Sequence, residues 1–303
     1  MNRILHKELI PSTDVRLGRH IFHDSLSKNF TFDTTGLNLV STKHQRNIPI
    51  LDQGQVGRCT GNAGVGVLGT SPHNLLNNTI LPLNEDGATT LYSEAETLDG
   101  DGPYPPNDHG SSGLSIAKVL LAKGLINSYQ HNFTLQDTLL ALTQYPLMLG
   151  TNWHADMFNP DASGQVHPIG AIEGGHEYEC NEIDVENGLV WCDNSWGDSW
   201  GLQGRFYLTW EDLNTLLLES GDSTVLIPLG IVPPVPVVTP RTLYITTPYM
   251  TGDDVKQVQT AIGATVDGIF GPQTKALVET FQTAHILVAD GIVGPLTWKI
   301  ITT

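Results

Sequence analysis

Cysteine is scarce in this chain. Three in 303 residues, Cys59, Cys180 and Cys192, are too few for a disulfide scaffold, and the odd number leaves at least one unpaired within the chain. Basic residues are scarce too: 15 Lys and Arg stand against 32 Asp and Glu, for a formal net charge of −17. Such a polyanion gains nothing from counterion release on nucleic acid, and anionic membrane surfaces repel it, so neither is expected as a partner. No run approaches the roughly 20 apolar residues of a membrane span. The opening MNRILHKELIPSTDVRLGRH lacks the uninterrupted apolar stretch of a signal peptide. The expectation is a soluble protein, without metal or cofactor, that depends on something else for any export or release.

Apolar residues make up 40% of the chain and charged residues 16%, which describes a folded globular protein. The clearest boundary is LIPLGIVPPVPVVTPRT, residues 226–242, where five prolines fix φ and remove backbone donors. The expected organisation is an N-terminal extension over 1–34, a large domain over 35–228, a Pro-rich linker over 229–243 and a small domain over 244–303. In the large domain SGLSIAKVLLAKGLI reads as an amphipathic helix capped by Ser112 and closed at Gly124. The segments PLMLGTNW, HEYECNEIDV, GLVWCDNSW and GRFYLTW read as strands, with Asn187-Gly188 as the turn between the second and third. Helices first and strands later predict an α+β domain of two lobes, one helical and one antiparallel β, meeting at a cleft. Cys180 and Cys192 flank that hairpin; they could pair, or sit as small buried apolar side chains.

The small domain carries a repeat. DGIFGPQT begins at Asp267 and DGIVGPLT at Asp290, 23 residues later. Each is a tight Asp-Gly turn, then Gly-Pro and a helix-starting Thr. Apolar residues at helical spacing before and between the turns predict three short helices, too small a body to hold a catalytic cleft.

Catalysis by a thiol needs a thiolate, a base, a group that orients the base and donors for the oxyanion. Cys59 reads as the start of a helix, with GVGVLGTSPHNLL after it as a helix candidate, and helix N-terminal N–H groups favour a thiolate. Gln53, six residues earlier on a Gly-rich loop, can aim its amide at the same point, with the Cys59 N–H as second donor. His176 starts one strand and Asn194 follows the next, so the hairpin brings them together. The Asn carbonyl would orient the imidazole, and Trp196 would cover the bond between them.

QGxxGxC, GGH and NSWGxxWGxxGRF, in that order, resemble the papain family of cysteine peptidases over residues 40–225. The resemblance implies Cys59 as nucleophile, His176 as base and acid, Asn194 as orienter and Gln53 as the oxyanion residue, with thiol and imidazole resting as an ion pair. It further implies that Gly110, Ser111, Ser112 and Gly113 form an edge where substrate backbone docks. Trp153, Trp196 and Trp200 are expected to line or border the cleft. Departures are Val56 and Thr60 around the nucleophile and Glu177 directly after the base. Strand alternation should point Glu177 away from the thiol. The stretch before Cys59 is too short for the family's usual inhibitory pro-segment, so control by cleavage of a long pro-region is not expected.

The C-terminal residues Val255-x-x-Val-Gln259, Asp267 to Thr274, Val278-x-x-Phe-Gln282 and Asp290 to Trp298 resemble the peptidoglycan-binding domain of cell-wall hydrolases. Together the two resemblances imply a peptide hydrolase acting on polypeptides or wall peptides at a bacterial cell wall, as a phage lysin or virion-associated peptidase. The alternative is a catalytically idle papain-like shell that serves as a wall-binding or virion structural protein.

Overall fold

The computed structural model describes residues 14, 16–23, 31–230, 241–285 and 287–301. The chain divides into two compact units, 1–236 and 237–303. Of the expected linker, 231–240 lie outside the described residues, as do 1–13, 15 and 24–30 of the expected N-terminal extension.

The first unit opens with a helical part. Helix α1 (Cys59–Leu68) is buried along its whole length. Its small residues permit this: a Cβ at Gly61 would collide with the Ala88 carbonyl oxygen on the next helix. Helix α2 (Glu85–Asp99) starts at Asn84, whose side chain accepts from the Asp86 and Gly87 N–H groups, with Glu85 and Asp86 in the first turn. These fill orphan donors and suit the positive end of the helix. Helix α3 (Gly113–Ala122) is capped by the Ser112 side chain, and Gly124 follows it with φ +68°, as the sequence predicts. Val65, Val67, Leu68, Leu91, Ile116 and Leu120 fill the core between the three helices.

The remainder is a seven-stranded sheet: β1 (Thr42–Lys43), β2 (Ser128–Asn132), β3 (Leu147–His154), β4 (Ile172–Asp184), β5 (Leu189–Asp193), β6 (Arg205–Thr209) and β7 (Asp222–Ile227). The order is β2-β7-β3-β4-β5-β6, with β1 beside β4 and every pairing antiparallel. Helices α4 (Leu135–Leu142) and α5 (Trp210–Leu218), capped by Thr134 and Thr209, complete it. Trp153, Tyr178 and Phe206 anchor a second core on this side. The four expected strands are β3, β4, β5 and β6, and Gly188 turns the β4–β5 hairpin at φ +67°. Across that hairpin Cys180 stands opposite Cys192, and both are buried free thiols, so the unpaired alternative is the one realised.

Among the described residues the second unit holds three helices, α6 (Asp253–Ala261), α7 (Pro272–Ala284) and α8 (Pro295–Ile301). Helix α7 begins at Pro272, two residues before the Thr expected to start it; proline suits that place because its missing N–H would be unsatisfied there. The repeat has a structural cause. Gln259 Nε2 donates to Asp267, the Ile269 carbonyl and Thr274, while its Oε1 accepts from Gly268 N–H. Gln282 makes the same four bonds to Asp290, Ile292, Thr297 and Gly291. One buried glutamine thus ties each Asp-Gly turn to the helix that follows.

Candidate active site

Cys59 is the first residue of α1 and His176 lies on β4. The thiol meets a backbone donor of Glu177, the residue after the histidine on β4. His176 Nε2 lies 2.8 Å from Asn194 Oδ1, and the Ser195 N–H also donates to that oxygen at 2.8 Å. The second bond fixes which way the amide faces, so Asn194 accepts and the imidazole Nε2–H donates. Nδ1 is buried with no hydrogen-bond partner among the described residues. Trp196 packs over the imidazole, ring centroids 4.8 Å apart, and Trp153 meets it edge-on at 4.9 Å. That cover excludes water and strengthens the His176–Asn194 bond. Trp153 itself is wholly buried, and Trp200 donates to the Phe158 carbonyl at 2.9 Å.

Gln53 is held from both sides. Ser195 Oγ donates to its Oε1 at 2.7 Å, and its own N–H donates to the Ser195 carbonyl at 2.8 Å. Its Nε2 donates to the Val56 carbonyl at 2.7 Å and to the Arg16 carbonyl at 3.0 Å. Ser195 was not singled out from the sequence, although it sits inside the NSWG motif; only the fold brings it to Gln53.

The Arg16 contact belongs to a segment, residues 16–20, that turns at Arg16 and then lies between Gly175 and Ser111, over the Cys59 thiol. Gly18 pairs with Gly175 and Arg19 with Ser111 in parallel bridges. Arg19 N–H donates to Gly175 O at 3.0 Å, His20 N–H to Ser111 O at 2.6 Å, and Ser111 N–H to Gly18 O at 2.9 Å. The expected Gly110–Gly113 edge therefore does form strand-like bonds through Ser111, and its partner is the chain's own N-terminal part. Gly110 turns at φ +86°, Ser112 caps α3 and Gly113 begins it. At the other end of the segment the Arg16 guanidinium lies 4.3 Å above the Trp196 ring and is paired with Asp14 at 2.6 Å.

This burial reverses the expected ion pair. Removal from water pushes the Cys59 thiol up to about 12, with the nearby Glu177 carboxylate adding to the rise against backbone donors of Glu177, Gly18 and Thr60. Burial likewise brings His176 down to about 4, against the Asn194 hydrogen bond that favours the imidazolium. With the cleft filled, thiol and imidazole are both neutral near pH 7, since a dry site disfavours each charged form. The Glu177 carboxylate lies in a pocket beside Gly113 and Gly150, from which its charge adds to the rise of the thiol. Among the described residues no cluster of His, Cys, Asp and Glu could hold a metal ion, and no helix is long and apolar enough to cross a membrane.

Comparison with known proteins agrees with this architecture. Xylellain, a cysteine protease from Xylella fastidiosa, superposes with a TM-score of 0.57 at 15% identity, covering 73% of this chain and 99% of that one. Digestive procathepsin L 3 of Tenebrio molitor larval midgut gives a TM-score of 0.49 at 10% identity, covering 73% of this chain and 83% of that one. Sequence comparison with curated proteins finds no match. Residues 251–301 match the family described as putative peptidoglycan binding domain. The first unit thus has the papain-like fold, and the chain continues into a helical region of the peptidoglycan-binding type.

Proposed function

We propose that the chain is a thiol-dependent peptide-bond hydrolase held at the bacterial cell wall by its C-terminal region. The observation that carries this reading is the His176–Asn194 hydrogen bond of 2.8 Å, set beside a cysteine that opens a buried helix. The description of xylellain as a cysteine protease supports it, as does the match of residues 251–301.

In the reaction, the segment 16–20 withdraws, water and substrate enter, and a proton passes from Cys59 to His176 Nδ1. The thiolate attacks the peptide carbonyl carbon. The oxyanion takes a hydrogen bond from Gln53 Nε2, where the Arg16 carbonyl now sits at 3.0 Å, and another from the Cys59 N–H. His176 gives its proton to the leaving amine and the C–N bond breaks. A water then attacks the thioester, His176 takes its proton, and the carboxylic product leaves with the thiol restored. Asn194 holds the imidazole in place throughout. Gly110 to Gly113 dock the substrate backbone through Ser111, and Trp196 walls the cleft. The C-terminal region raises the local concentration of this activity at peptidoglycan. The finer setting within this proposal is a phage lysin or virion-associated peptidase.

Burial of the site favours the second reading, an idle papain-like shell, because it disfavours both the thiolate and the imidazolium. Wild type and Cys59→Ala are incubated under reducing conditions with casein and with bacterial sacculi, and new amino termini are counted. Cleavage by wild type alone supports the hydrolase, and the preferred material names the substrate. No cleavage of either, with equal sacculus binding, gives the answer to the idle shell.

A further inference from the structure

Buried charge concentrates beside the cleft. Arg19 reaches from the N-terminal segment into a pocket walled by Glu177 on β4 and Asp222 on β7, and its side chain is 1% exposed. One guanidinium nitrogen donates to Asp222 and to the Ser220 carbonyl, the latter at 3.0 Å, and Nε lies 4.0 Å from Glu177. The other terminal nitrogen and both Glu177 oxygens are buried with no hydrogen-bond partner among the described residues. His23 Nε2 lies 2.9 Å from Asp222, and His131 on β2 faces the same carboxylate beside Thr224, its Nε2 2.8 Å from the Thr224 hydroxyl. Two glycines open the space: a Cβ at Gly113 or Gly150 would run into the Glu177 carboxylate, and one at Gly150 would also meet the guanidinium.

The origin of these groups matters. Both carboxylates belong to the sheet, whereas Arg19 and His23 arrive with the N-terminal segment. The Arg19 charge holds Asp222 well below the usual carboxylate range against its burial, while burial and the Asp222 charge push Glu177 up. When the segment leaves, the pocket keeps its acidic walls and loses the cations that balance them. A buried carboxylate stripped of its partner is strongly destabilising, so the empty pocket favours a cation over an apolar side chain.

We propose that this pocket is a specificity subsite for a cationic side chain, and that Arg19 stands in it for the basic residue of a peptide substrate docked opposite Ser111. The proposal rests on the peptide-hydrolase reading and names its substrate class. The shared chemistry is a guanidinium or primary amine, from Arg or Lys of a protein or from an amine-bearing residue of a wall peptide. Substrates carrying Asp or Glu there meet two carboxylates and are rejected.

The test uses full-length wild type and full-length Arg19→Ala, in which the segment has lost its anchor. Each digests a proteome-derived peptide library and, separately, sacculi, and cut positions are read by mass spectrometry. The expected result is a basic residue at one position within two residues of the cut bond, favoured over Leu by about tenfold or more, equivalent to ~1.4 kcal/mol. Asp222→Asn and Glu177→Gln should each shrink that preference at least about threefold; should either fail to fold, the other and the wild-type profile decide. The arm that yields the cuts tells protein from wall peptide. An apolar residue at that position, or no preference, with Cys59→Ala inactive, overturns the subsite and leaves the hydrolase standing. No cutting by any form overturns both.

Discussion

Gly18 lies so close to Gly57 that a Cβ on Gly18 would collide with the Gly57 carbonyl oxygen. The same glycine provides a backbone donor to the Cys59 thiol. No other residue type fits between the cleft wall and the nucleophile, so this position controls whether the cleft stays filled.

Gly18→Val should therefore expel the segment. Overpacking of this kind costs about 1–3 kcal/mol, enough to raise the open population by roughly fivefold or more. Alkylation of Cys59 by iodoacetamide, followed by mass spectrometry of its peptide, should speed up by that factor. An unchanged or slower rate would show that residues 16–20 do not shield the thiol.

Asn194→Ala removes the acceptor that orients His176. A positioned proton-transfer group contributes about 10²–10⁴-fold to a rate; turnover should fall by roughly a hundredfold with little change in KM. A loss confined to KM would instead place Asn194 in substrate binding.

Acid should weaken the closed form through His176. Its pKa lies near 4 when buried, below the usual value of 6.5. Between those values the unfolded or opened chain binds more protons, so this contribution to stability is present above pH 6.5 and lost as pH falls toward 4. From pH 7 to pH 5 the loss is about 2 kcal/mol at 1.36 kcal/mol per unit. Glu177, pushed up by burial, pulls the other way. The His176 share is thus the difference between wild type and His176→Gln in thermal unfolding at the two pH values, and equal shifts in both proteins would refute it.

Gln259→Ala and Gln282→Ala should each destabilise the C-terminal unit by about 2–3 kcal/mol, because each strands buried donors and acceptors of a turn and a helix start. Thermal unfolding and sacculus retention after mild heating measure this. Near-wild-type behaviour of either variant would mean that solvent satisfies the turn.

Much of the candidate site was legible because its signals are local. Gln53, Cys59, His176 and Asn194 sit in short glycine-rich motifs whose order survives in the sequence, and Asn187-Gly188 announces the hairpin that joins two of them. The acidic pocket was not legible. Asp222 begins the strand DSTVLI, 45 residues after Glu177, and Glu177, though singled out beside His176, carries no local sign of the partners it meets. Arg-Leu-Gly-Arg-His, residues 16–20, has no periodicity, since its form is imposed by Gly175 and Ser111 from distant parts of the chain. The start of α7 was misread for a simpler reason: Thr274 looks like a cap, but its hydroxyl answers Gln259 from inside the first turn.

The Arg16 guanidinium sits 4.3 Å over the Trp196 ring, on the indole that also covers His176. That stacking makes the tryptophan a built-in optical gauge. Each time the segment lifts away, the indole exchanges a cationic neighbour for water, and its emission should redden and change in intensity on the timescale of opening. Stopped-flow fluorescence of the unlabelled protein could then time the unblocking of the cleft separately from the chemistry that follows it.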